Sequence, residues 1–260
     1  MMDLTLLTIL APALAAGLLV LSTHVVLGRQ VLKRGIIFID LAIAQIAALG
    51  AVLVHTRHWL HDADGHQHLL GLDYLVPALF ALGGAALIAL LERRFKAELE
   101  ALIGCLYVLS AVAAMLLLAG DPHGGELLKQ LLSGQILWTD WPSLVGPVLI
   151  TVLCLGLLLW RPDVLEGPLF YVLFALVITF SVQLVGVYLV FSSLILPALA
   201  VNRMSGKSAL FWGYGVGVLG YASGLWLSAG LDLPSGATIV CTLSLAAVLV
   251  RVSVRGQGSR

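Results

Sequence analysis

Hydrophobic positions along this chain come in long unbroken runs rather than in alternation or in narrow helical stripes. A helix crosses roughly 30 Å of hydrocarbon with about 20 apolar residues. Nine such runs, bounded by charge or turn residues, are expected at about 4–28, 35–55, 72–91, 101–120, 144–160, 168–185, 187–201, 209–229 and 237–254. The 34 residues 168–201 are too long for one crossing and tight for two, so the helix is expected to break near Gly186 and either cross an even number of times or dip and return. This pattern predicts an all-α polytopic membrane protein. The N-terminal run resembles a signal peptide, with Ala13, Leu14 and Ala15 as a cleavage-like site, but it lacks a basic start and is read as a true span.

Composition agrees. The chain has 260 residues, of which 60% are hydrophobic and 11% charged, against about 25% charged in a soluble domain. Its 14 Lys+Arg balance its 14 Asp+Glu, so no basic excess exists to bind a phosphate backbone and nucleic acid is not an expected partner. Lys and Arg collect in cytoplasmic loops. With nine crossings and the N-terminus outside, only Arg57 and Lys129 of those 14 fall outside, and the C-terminus is cytoplasmic. No repeat or long linker appears, so residues 1–260 are read as one transmembrane domain in membrane lipid, with a His-rich outside loop at 55–68. Cys105, Cys154 and Cys241 lie far apart in apolar runs and are read as small packing residues.

Three groups of residues are candidates for chemistry. His55, His58, His61, His66 and His68, with Asp62 and Asp64, fall within fourteen residues. Neutral imidazole and carboxylate suit zinc and other borderline divalent ions, and a loop can capture such an ion weakly and exchangeably. Asp40 is a carboxylate well inside a span, where isolation is costly, so it needs a partner or a wet path. His24 is the expected partner, both residues being placed about 6 to 8 Å deep. Gln45 follows on the same helix, offset by about 140° from Asp40. Ser181, Gln183, Tyr188, Ser192 and Ser193 lie amid apolar residues, where they either bond across helices or line a translocation path. Asp232, Pro234 and Gly236 read as a turn. No phosphate loop and no nucleophilic or paired-carboxylate arrangement appears, so the chain is not read as an enzyme. Transport would run on a gradient or on a partner ATPase.

The order of motifs resembles the permease subunits of bacterial ABC importers for zinc, manganese or iron. The stretch from His24 to Arg29, followed by Gly35 to Gly50 around Asp40, looks like the family's basic loop and Gly-Asp helix. Glu100 to Gly104 opens a span. Gln183-Leu-Val-Gly186-Val-Tyr-Leu-Val with Pro197-Ala downstream is close to the family's Q-x-V-G-x-x-L-V and L-P-A. Asp232-Leu-Pro-Ser-Gly236 resembles its D-x-P-S-G-P turn, with Ala237 in place of the last Pro. The resemblance implies a homodimer in a bacterial inner membrane, working with a cytoplasmic ATPase and an outside metal-binding protein, and importing a divalent metal as cargo with no permanently bound cofactor. Zinc is favoured by the imidazole count. Two departures stand out. Ala44 occupies the place of the family's second ligand, a His four residues after the Asp, and the cytoplasmic loop that docks on the ATPase is reduced to 161–167. A stand-alone gradient-driven carrier and a non-transporting accessory subunit are the competing expectations.

Overall fold

The computed structural model describes residues 4–56 and 72–257. Among them are ten α-helices: α1 (Leu4–Arg34), α2 (Ile39–Thr56), α3 (Leu72–Arg94), α4 (Leu99–Leu118), α5 (Gly124–Ser133), α6 (Val145–Trp160), α7 (Leu169–Val185), α8 (Val187–Ala200), α9 (Gly206–Leu231) and α10 (Ser235–Gln257). Single 3-10 turns stand at Ile136–Trp138, Pro142–Leu144 and Pro162–Leu165. No strand occurs among the described residues. Each expected span coincides with one helix. Six segments are long and apolar enough to cross a membrane, whereas α7 and α8 are shorter apolar helices.

The chain forms two compact units, both assembled from segments distant in sequence. The first comprises Met1–Gly35, Ser133–Leu144 and Leu184–Arg260, and the second Ile36–Leu132 and Val145–Gln183.

In the first unit α9 packs on α1 and α10, and α8 packs on α1 and α10. Small residues make these approaches possible, because lipid is as apolar as the side chains and close van der Waals fit must replace hydrophobic drive. A Cβ at Gly217 would meet Leu21 of α1 at 2.5 Å, and one at Gly224 would meet Ile239 Cα of α10 at 2.6 Å. Thr242 adds an interhelical bond by donating to Gly220 O at 2.7 Å, and Tyr214 donates to Ser22 O at 2.8 Å. Ala200, Val201, Ala209, Val216 and Ala247 form a buried cluster between these helices. The α9–α10 connection is the expected turn. Asp232 takes a left-handed φ of 52°, its N–H bonds Ser228 O, and Ser228 Oγ donates to Leu233 O at 2.6 Å.

In the second unit α2 is central, with 67% of its length buried, and it packs against α3 and α4. Gly50 admits the Pro77 backbone and Gly84 admits Ile46. The amphipathic α5, which the apolar runs do not reveal, lays Leu127, Leu128 and Leu131 on Val52, Ala114 and Leu118. Tyr74 stacks on Phe180 with ring centroids 5.7 Å apart.

Three expectations need correction. The first helix does not end near residue 28: it runs to Arg34, carrying Arg29, Lys33 and Arg34 as helical residues. Cations in a last turn complement the helix dipole, and Gly35, at φ 72°, then closes the helix by donating to Val31 O at 3.0 Å. The second helix begins at Ile39, not 35. Of the three cysteines only Cys154 is buried, Cys105 and Cys241 being exposed on α4 and α10.

Candidate functional site

These boundary shifts move Asp40 and His24 along their helices. Asp40 lies in the first turn of α2, directly after the turn that Gly35 opens, rather than five residues into a span. The N-terminal end of a helix carries partial positive charge, which suits a carboxylate. The turn is fixed from another helix: Phe38 N–H donates to Glu100 Oε1 at 3.0 Å. This bond does what a capping-box glutamate does three residues into its own helix, here from 62 residues away in sequence. Asp40 is fully buried, and neither carboxylate oxygen has a hydrogen-bond partner among the described groups. Gln45, also on α2, is buried with Oε1 equally unbonded.

His24 lies ten residues before the end of α1, about 15 Å along the axis from Arg34. Its Nδ1 is 2.7 Å from Val20 O. A carbonyl only accepts, so Nδ1 carries the proton and Nε2 holds the lone pair. That Nε2 is buried and has no hydrogen-bond partner among the described groups. A backbone carbonyl fixing the tautomer is also how proteins orient metal-ligating imidazoles. His24 belongs to the first unit, and Asp40 and Gln45 to the second.

The path candidates divide. Ser181, Ser192 and Ser193 are buried and Gln183 is half-buried. Ser192 Oγ donates to Tyr188 O at 2.8 Å and Ser193 Oγ to Val190 O at 2.9 Å, so both hydroxyl protons are spent within α8. Tyr188 is exposed. The break between α7 and α8 falls at Gly186, as expected, with φ 78°. It is held by a close crossing in which a Cβ on Gly186 would strike Gly134, itself at φ 69°.

Of the His-rich group only His55 lies within the described residues; His58, His61, His66 and His68 fall outside them. His55 ends α2, half-exposed, with Nε2 3.4 Å from Asp121 Oδ2. Among the described residues no three His, Cys, Asp or Glu side chains gather into a metal cage. Glu100 and Asp121 were not singled out by sequence reasoning. Glu100 was legible only as the start of a span, and Asp121 carries no local signal.

The fold and these buried donors define a polytopic helical membrane protein with polar atoms set inside its spans. Residues 161–254 match the model of the ABC 3 transport family. This segment includes the Gln183 to Pro197 and Asp232 to Gly236 motifs. Among solved structures, PsaBC from Streptococcus pneumoniae in complex with Fab is similar at 19% identity and TM-score 0.74, over 93% of this chain and 90% of that one. An inward-facing conformation of a metal-chelate type ABC transporter is similar at 19% identity and TM-score 0.64, over 98% of this chain and 88% of that one. No curated protein matches by sequence. The resemblance drawn from the motifs therefore holds in the family pattern of the C-terminal segment and in the fold of nearly the whole chain.

Proposed function

We propose that this chain is the permease subunit of an ABC-type importer for a divalent metal, with zinc favoured over manganese or iron. The observation that carries the reading is the family pattern at 161–254 on a fold shared with ABC transporter permeases. The buried, unbonded oxygen and nitrogen atoms of Asp40, Gln45 and His24 support the choice of cargo, since they are donors suited to a borderline divalent cation. In this reading the His-rich segment captures the ion outside. The ion passes by Asp40, His24 and Gln45, with Ser181, Gln183, Ser192 and Ser193 along the route, and leaves inward by alternating access. The chain makes nine crossings with its N-terminus outside, sits in a bacterial inner membrane and works as a homodimer. An outside binding protein delivers metal and a separate cytoplasmic ATPase supplies energy.

The test is co-purification with any ATPase and binding protein found encoded beside it, reconstitution in liposomes, and measurement of zinc-stimulated ATP hydrolysis together with zinc uptake. Stimulated hydrolysis with uptake supports the reading. Uptake without any ATPase favours a gradient-driven carrier, and neither activity favours an accessory subunit, for which the brevity of the 161–167 connection is the argument.

A further inference from the structure

Asp121 stands in the turn between α4 and α5, and its position is unusually constrained. Its N–H bonds Leu118 O at 3.0 Å, its carbonyl accepts from Gly124 N–H at 3.0 Å, and its Oδ1 accepts from His123 N–H at 2.8 Å. One carboxylate oxygen is thus committed to holding the turn, and Oδ2 is directed at His55. The imidazole is positioned from the other side. Val52, one helical turn before His55 on the same face of α2, is fully buried in the cluster that also takes Leu127, Leu128 and Leu131 of α5. Both partners therefore hang from one packed junction of three helices.

The separation of the pair is informative. At 3.4 Å, His55 Nε2 and Asp121 Oδ2 stand within ion-pair distance of each other. Two ligands on a tetrahedral ion, each about 2.0 to 2.1 Å from it, stand about 3.3 Å apart. The side chains are 52% and 26% exposed, so an ion from solvent can reach them. An imidazole nitrogen and a carboxylate oxygen at this spacing are two adjacent corners of a zinc-type coordination sphere.

We propose that His55 and Asp121 form a two-ligand landing site for a zinc-like divalent cation at the end of α2. With two protein ligands the remaining positions stay open to water or to ligands of the donor, so the ion exchanges readily. The proposal rests on the metal-importer reading and deepens it, by adding a residue outside the His-rich segment and a fixed geometry.

The full chain in lipid nanodiscs tests it by equilibrium zinc binding against a competing chelator. The background variant carries Ala at His58, His61, His66 and His68. It is expected to keep one weak zinc site per chain. Adding Asp121→Asn should weaken that site at least tenfold while retaining the Oδ1 acceptor that holds the turn, and Asp121→Glu should recover part of it. His55→Gln should cost as much as Asp121→Asn, and the double variant no more than either alone. Zinc binding unchanged by Asp121→Asn, in protein that elutes as wild type, overturns the site and leaves the importer reading intact. Zinc binding lost as expected, in a wild-type complex that transports no metal, overturns the importer reading and leaves the site standing.

Discussion

Asp40 has the sharpest energetics of any single side chain here. A fully buried carboxylate with both oxygens unbonded costs several kcal/mol unless a cation or water compensates it. The helix N-terminus contributes about 0.3 to 1 kcal/mol toward that cost, too little to offset it alone. If Asp40 meets the passing ion, Asp40→Asn keeps shape and hydrogen bonding but removes charge. Assembly should then be normal and metal flux should fall at least tenfold, about 1.4 kcal/mol at the barrier. Normal flux through well-assembled Asp40→Asn would remove the metal role from Asp40, and with it the reason to include His24 and Gln45. Glu100 acts one step away. Glu100→Gln keeps an acceptor for Phe38 N–H and should transport nearly as wild type. Glu100→Ala leaves that donor unbonded and should lower flux through a loosened Asp40 turn, which limited proteolysis between α1 and α2 would report. At the surface, Ser143 holds the Asp140 carboxyl below its ordinary range through its side chain and its N–H. A lowered folded-state pKa stabilises above the ordinary carboxylate value and is lost as pH falls through the folded one. Ser143→Ala should therefore lose less of its melting temperature on acidification than the parent does.

At the scale of elements, what was legible follows from what a membrane rewards. Each of the nine apolar runs became a helix because an apolar run in hydrocarbon must satisfy its backbone internally, and the run 168–201, too long for one crossing, broke at Gly186 as expected. The residues that escaped are those whose signal is not hydrophobicity. The last turns of α1 hold Arg29, Lys33 and Arg34, which read as a loop by charge but are strong helix formers. The ten residues of α5 are amphipathic rather than apolar, so a search for spans passes over them, and the burial of Leu127 and Leu131 exists only once α2 and α4 are in place. The new positions of His24 and Asp40 relative to their helix ends follow from those boundaries: α1 runs six residues, about 9 Å, farther than expected, and α2 begins four residues later. The crossing of Gly134 with Gly186 is absent from any local pattern, since the two meet only in three dimensions. Both have positive φ, and each leaves no room for a Cβ against the other's backbone. Gly186→Ala should thus lower the yield of folded protein in detergent sharply, and Gly134→Ala should do the same. Gly215→Ala on α9, where a Cβ meets open space, is the control expected to be silent.

For the whole molecule, the importer reading turns on where a separate ATPase would press on this chain. Between α6 and α7 the chain offers one 3-10 turn, Pro162–Leu165, with Pro162 and Asp163 exposed and Val164 and Leu165 half-buried. Between α3 and α4 it offers the exposed stretch Arg93 to Glu98, with three cations and one carboxylate, which ends just before the Glu100 that fixes the Asp40 turn. A partner pressing on this second stretch would act close to the candidate path, whereas one pressing on 162–165 would act through α7 and the Gly186 break. Both segments are expected to face the cytoplasm. Single cysteines at Val164 and Ala97 distinguish them by cross-linking to the ATPase. The background first loses Cys105, Cys154 and Cys241, so that only the introduced cysteine can link. Linking from both positions is expected. Linking from Ala97 alone would mean that the coupling contact has moved to the α3–α4 connection, and the Glu100→Ala variant should then uncouple ATP hydrolysis from metal flux rather than merely slow it. Linking from neither, in a complex that still co-purifies, would shift the weight toward an accessory membrane subunit.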